Sequence, residues 1–186
     1  MTPFPFSRTA PTEPEFAPEP WPETWTPEGV TISQRFLGLT GAVTLVYTAD
    51  AGVNGTYYAI ACLGCTFLTR SKGSDNYIST EQAAGEIANS HAAQCRALPR
   101  ALPARPDDDT AREIVRRRLH HNRRSDRDVT VHLTDFHLDR IALQRTTAWI
   151  EKELQRLADE QPEILTAKPR TYGTGTEFTI LPFPKV

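Results

Sequence analysis

From Val30 the chain begins to alternate apolar and polar positions. "VTISQRFLG" has the period of two that predicts a strand. "AVTLVYTAD", from Ala42, and "TYYAIAC", from Thr56, are two further β-rich runs. Between them "AGVNG" predicts a turn, with Asn54-Gly55 suited to a positive φ. "CTFLTR" then extends, and "SKGSDN" turns.

The period next changes to that of a helix. In "EQAAGEIANSHAAQCRAL" the residues Ala84, Ile87, Ala88, His91, Cys95 and Leu98 recur on one face. Ser79 and Gln82 stand before it in capping-box spacing, and Pro99 and Pro103 are expected to end it. "PARPDDD" reads as a linker. Asp107, Asp108, Asp109 and Thr110 can cap a second helix, "TAREIVRRRLHHN". "DVTVHL" predicts a short strand. A long helix is expected from about Asp135 to Glu160, stopped by Pro162. Its apolar seam is Phe136, Leu143, Thr147, Ile150, Leu154 and Leu157, suited to core packing or to pairing with a second copy in a homodimer. "TEFTILPF" predicts a final strand.

Before Val30 the pattern is lost. Residues 1–28 hold eight of the fifteen prolines, and Glu13, Glu15, Glu19, Glu23 and Glu28 face a single base, Arg8. Such a segment buries too little apolar area to offset its ordering entropy and predicts a disordered acidic tail. Its Phe4, Phe6, Phe16, Trp21 and Trp25 are candidate docking anchors, or rest on the domain. The expected organisation is a tail over 1–28, a β-sheet with a metal-binding hairpin–helix module over 29–98, a linker over 99–109, and a helical segment with a C-terminal strand over 110–186.

The 186 residues are enough for a domain with a real core, and a formal net charge of −2 names no partner. No apolar run is long enough to span a bilayer, and the N-terminus lacks the pattern of a secretory signal. Three cysteines do not make a disulfide scaffold, so a reducing cytoplasm is the expected location.

Those cysteines carry the best-specified chemistry. Cys62 and Cys65 flank Leu-Gly in a C-x-x-C, and His91 and Cys95 stand four apart on a predicted helix, hence on one side of it. Thiolate and imidazole in this arrangement suit a tetrahedral structural zinc ion. Gly64 lets the backbone fold back so that amide groups point at the sulfurs. The 25 residues between the pairs are more than in the commonest finger, but a strand and a loop fit within them. Two other readings use the same residues: small buried hydrophobes around a core histidine, or a redox pair. The redox motif normally opens a helix, whereas β-type "TFLT" follows Cys65. Four-cysteine iron–sulfur ligation lacks a cysteine. Four good ligands leave no open position for catalysis, and neither His-x-Glu nor H-E-x-x-H occurs, so no enzymatic activity is expected.

"CLGC" after a strand, with "HAAQC" late in an alanine-rich helix, resembles zinc-finger modules of the CCHC or treble-clef-like kind. It also resembles segments of uncharacterised actinobacterial proteins. The resemblance covers about residues 56–98 and implies Cys62, Cys65, His91 and Cys95 as ligands. It implies no activity, since such modules bind nucleic acid or protein, or hold a fold.

One dense basic stretch remains. "REIVRRRLHHNRRSDR" contains Arg112, Arg116, Arg117, Arg118, Arg123, Arg124 and Arg127 against Glu113 and Asp126. These arginines are candidates for DNA or RNA phosphates, or are solvated or paired with acids of the same chain. His132 and His137 are read as surface or core-edge residues rather than ligands. The sequence thus predicts an α+β, zinc-binding, non-catalytic protein. Nucleic acid is its first expected partner, and an adaptor between proteins is the alternative.

Overall fold

The computed structural model describes residues 25–49, 57–71, 77–171 and 173–184. The predicted Asn54-Gly55 turn, nearly all of "SKGSDN" and the first 24 residues lie outside them. The fold is α+β, built on two antiparallel sheets.

The first sheet has the order β1 (Val30–Leu37), β2 (Val43–Ala49), β3 (Tyr58–Cys62) and β4 (Leu68–Thr69). A bulge at Ser33, between Ile32 and Gln34, breaks the simple alternation of β1. Both faces of this sheet are covered, and β2 and β3 divide their side chains between two cores. Leu45, Tyr47, Ala59 and Ala61 join Val30 and Ile141, with Trp25 and Leu138 packed against them. Val46 and Ile60 join Ile78, Ala83, Ala84 and Ala88 on the opposite face. The Tyr47 hydroxyl donates to the His137 carbonyl across 3.0 Å. Burial pushes this phenol well above its ordinary range.

Helix α1 (Glu81–Ala92) supplies the alanines of the second face. Its N-cap is Thr80, whose side chain accepts from Ala83 N–H, and not Ser79. The helix closes at Ala92, well before Pro99. Leu98, placed by the sequence on the apolar face, is exposed.

Order starts earlier than Val30. The Trp25 carbonyl accepts from Arg35, Pro27 is buried, and Glu28 pairs with Arg105 at 2.5 Å. Gly29 has φ +78, and a Cβ there would strike the Arg145 carbonyl, so glycine is required on both counts. The linker is fixed in the same neighbourhood: Gln144 donates to the Pro103 carbonyl at 2.9 Å and Arg145 to that of Pro106 at 2.8 Å.

Helix α2 (Asp108–Asn122) is capped by Asp107, which accepts from Thr110 N–H at 2.7 Å. The expected helix over 135–160 is broken into three pieces. They are a 3-10 helix (Leu133–Asp139), a single turn α3 (Arg140–Leu143) and α4 (Thr147–Glu160). Gln144 takes a left-handed conformation, φ 47, which ends α3, and Thr146 caps α4 by accepting from Trp149 N–H. Buried arginines bind the break. Arg140 donates to the Arg145 carbonyl and to the Thr147 hydroxyl, and Arg145 donates to Asp108 at 2.8 Å. A periodic apolar pattern does not see such polar fastening. Phe136, Leu143, Ile150, Leu154 and Leu157 all lie in one core with Val115 and Leu119 of α2, and Thr147 is also buried. The seam is therefore covered within the chain.

That core rests on a second sheet, ordered β5 (Val129–Val131), β7 (Thr176–Ile180) and β6 (Leu165–Pro169). The middle strand, β7, and β5 were legible; β6 was not. Among the described residues, no helix is long and apolar enough to cross a membrane.

Candidate metal centre

Strand β3 delivers Cys62 at its last position, and the chain turns at once. The Cys62 N–H donates to the Phe67 carbonyl at 2.9 Å, closing the knuckle, and Phe67 N–H donates to Cys65 Sγ at 3.3 Å. Gly64 is wedged beneath. A Cβ at this position would collide with the Ala42 methyl and approach the Leu98 carbonyl to 2.9 Å. From the other side, α1 presents His91 in its last turn. Cys95 lies just beyond the helix, but its N–H still reaches the His91 carbonyl at 2.9 Å, so the four-residue spacing keeps both side chains together. The Cys95 carbonyl accepts from Leu39 N–H at 3.2 Å, which ties the β1–β2 turn to the site.

The four candidate ligands converge as the sequence spacing predicts. The ligand atoms of Cys62, Cys65, His91 and Cys95 all lie within 4.8 Å of one another. Cys62 Sγ and Cys95 Sγ are 3.8 Å apart, and Cys65 Sγ stands 3.4 Å from His91 Nε2. Metal–sulfur bonds of about 2.3 Å in a tetrahedron imply sulfur–sulfur edges of about 3.8 Å, with sulfur–nitrogen edges slightly shorter. The two pairs match those edges, so the cluster can hold a metal ion.

Electrostatics favours ligation. Burial raises the Cys62 thiol, but hydrogen bonds from Gly64 N–H, the His91 ring and Cys65 N–H outweigh it and bring the group down to about 6. Burial pushes the Cys65 thiol up, opposed by Phe67 N–H. Cys62 and Cys95 are buried beside Ala42, with Phe67 and Ala97 packed around them. The Phe67 ring stacks on His91, a contact that the sequence reading missed because no spacing rule announces it.

The seven arginines meet different partners. Arg112 pairs with Asp109 at 2.9 Å and with Glu153 at 3.4 Å, and Arg116 lies 3.8 Å from Glu113. Arg118 grips Asp139 with two bonds of 2.6 and 3.0 Å. Arg123 fastens the C-terminal segment, donating to the carbonyls of Leu181 and Pro182 at 2.8 Å and lying over the Phe183 ring. Arg117, Arg124 and Arg127 are exposed, and among the described residues none of the three side chains forms an ion pair. His132 is exposed, as expected of a surface residue, whereas His137 is fully buried.

What the fold and the site define is an α+β chain with a closed Cys3His cluster at one end of its first sheet. No family model, curated protein or solved structure matches the chain. The resemblance to zinc-finger modules therefore rests on the four ligands and their geometry.

Proposed function

We propose that this chain is a zinc-stabilised binding protein without catalytic activity, which contacts nucleic acid through basic groups around the end of α2. The observation that carries the zinc reading is the convergence of three sulfurs and one imidazole nitrogen within 4.8 Å. Three thiolates and one imidazole are a donor set that zinc prefers, and four protein ligands leave no position for a reacting water. The ion would clamp β3 to the end of α1. Apparent binding energies for such sites are on the order of 10 kcal/mol, all of it available to folding.

Support for nucleic acid comes from the basic groups left over after internal pairing. Among the described residues Arg117, Arg124 and Arg127 have no carboxylate partner, and a phosphate would replace solvent around them. A second reading, an adaptor between proteins, draws on Leu37, Leu39 and Leu98, which stand exposed near the cluster.

Two measurements on the full chain test the proposal. Metal analysis should find one zinc per chain, and a chelator should lower the melting temperature; an unchanged melt would overturn the zinc reading. Labelled DNA and RNA should bind with an affinity that falls steeply with salt. Absence of binding at low salt would remove nucleic acid as the partner and leave the adaptor reading.

A further inference from the structure

We infer that the cavity between the last turns of α2 and α4 is a binding site for a small apolar carboxylate, an acid of about the size of benzoate. This site uses neither the metal cluster nor Arg117, Arg124 and Arg127, so it stands whether or not zinc and nucleic acid bind.

The apolar lining comes first. Leu119 of α2, Leu157 of α4, Leu165 at the start of β6 and Ile164 before it line a partly enclosed cavity of about 140 Å³. Leu119, Leu157 and Leu165 belong to the main helical core, so the cavity opens directly onto it. A cavity of about 150 Å³ lined by apolar side chains accommodates a benzene-sized guest. The body of the ligand is therefore one compact ring or branched chain.

The polar lining sets the charge of its head. Arg116, His120 and Arg123 also line the cavity, and among the described residues no carboxylate does. Arg116 and His120 stand four apart on α2, on the same face. Arg116 lies 3.8 Å from Glu113, beyond hydrogen-bond reach, and its Nε–H is shielded from solvent with no acceptor among the described residues. Arg123 spends Nε and Nη2 on backbone carbonyls, which leave its charge uncompensated. Phe183 holds two of these groups in place, its ring edge-on to His120 at 5.5 Å and under Arg123 at 4.6 Å. Helix-end carbonyls would favour a cation instead, but here several are spent. Arg123 N–H caps Leu119 and His120, and Gln161 N–H caps Leu157. The adjoining groove, which shares Arg123 and Ile164, carries Asp126, Asp128 and Glu163, so an anion is favoured in the inner cavity alone. The planar Arg116 guanidinium suits a carboxylate head.

The test titrates the full chain with benzoate, benzyl alcohol and benzylamine, followed by NMR shifts of assigned methyl groups. Benzoate should saturate one site with a Kd of about 1 mM or tighter. Its shifts should centre on Leu119, Leu157, Ile164 and Leu165. Benzyl alcohol, a similar body without the charge, should bind about tenfold more weakly, and benzylamine more weakly still. Arg116→Gln should weaken benzoate by about tenfold and leave benzyl alcohol unchanged, which also shows that the apolar cavity is intact in the variant. Arg116→Lys should recover part of the loss. Benzoate that does not saturate, shifts centred elsewhere, benzylamine as tight as benzoate, or a benzoate affinity indifferent to Arg116→Gln would each overturn the inference.

Discussion

The His91 imidazole lies flat against the Phe67 ring, with centroids 4.0 Å apart and planes inclined by 9°. Phe67 also gives its backbone N–H to Cys65 Sγ. Phe67 thus orients one ligand with its side chain and solvates another with its main chain. Removing the ring in Phe67→Ala leaves the N–H in place but frees the imidazole. A stacked aromatic pair contributes about 1 kcal/mol. Metal binding should weaken by roughly fivefold, measured by competition with a chromophoric chelator, and Phe67→Tyr should bind as the parent does.

Gly64 is constrained by space. Its backbone passes so close to Ala42 and Leu98 that a single methyl has nowhere to go. Gly64→Ala should therefore push the knuckle away from α1 and cost about 2 kcal/mol of stability, in the range of other overpacked positions. Denaturant unfolding gives the stability directly. Pairing the change with Ala42→Gly should recover much of the loss; no recovery would mean that the strain lies elsewhere.

Arg118 and Asp139 form the strongest pair available to the basic stretch, two parallel charge-assisted bonds in a half-buried setting. Its role is to hold α2 against the end of the 3-10 helix. Arg118→Ala and Asp139→Asn should each destabilise the fold by about 2 kcal/mol. The double variant should lose clearly less than the sum of the two, as a double-mutant cycle of unfolding free energies would record.

The Asp107 cap gives the fold a dependence on acid. The Thr110 N–H holds this carboxyl below its ordinary range, aided by the Thr110 side chain. A group held low in the folded state contributes stability above its unfolded value, about 3.9, and loses that contribution as pH falls through the folded value. Asn also caps helices but does not titrate there. Asp107→Asn should melt like the parent at neutral pH and show a shallower fall in melting temperature below about pH 4. Parallel melting curves for the two proteins throughout the acid range would contradict this account.

What could be read in advance follows from which forces leave a local trace. Strands β1, β2 and β3 announce themselves because apolar side chains recur along them, and the metal ligands because sulfur and imidazole recur at fixed offsets. Asp107 is found by its place before an apolar helix. The break at Gln144 leaves no such trace. It depends on Arg140 and Arg145, two charged residues buried at 0% and 3% exposure, whose bonds reach carbonyls and hydroxyls that no periodicity marks. Strand β6 is equally silent, since "LTAKP" ends in lysine and proline and is a strand only because β7 runs beside it. The sequence placed seven arginines in one cluster. The fold gives them different partners, because a helix sends neighbouring side chains in different directions and acids from α4 and the 3-10 helix claim some of them.

The division of β2 and β3 between two cores bears on how the molecule comes apart. Leu45 and Tyr47 look toward Ile141, and Val46, between them, looks toward α1. Neither half of the chain can melt and leave the other dry. A fragment stopped in the segment after Arg96 would keep its four ligand positions but expose Leu45, Tyr47, Ala59 and Ala61 to water. The two parts should unfold as one cooperative unit, with the heat absorbed matching the steepness of a single transition. In such a unit a metal clamp at Cys62 and Cys95 would stabilise the distant helical core as much as the strands it touches.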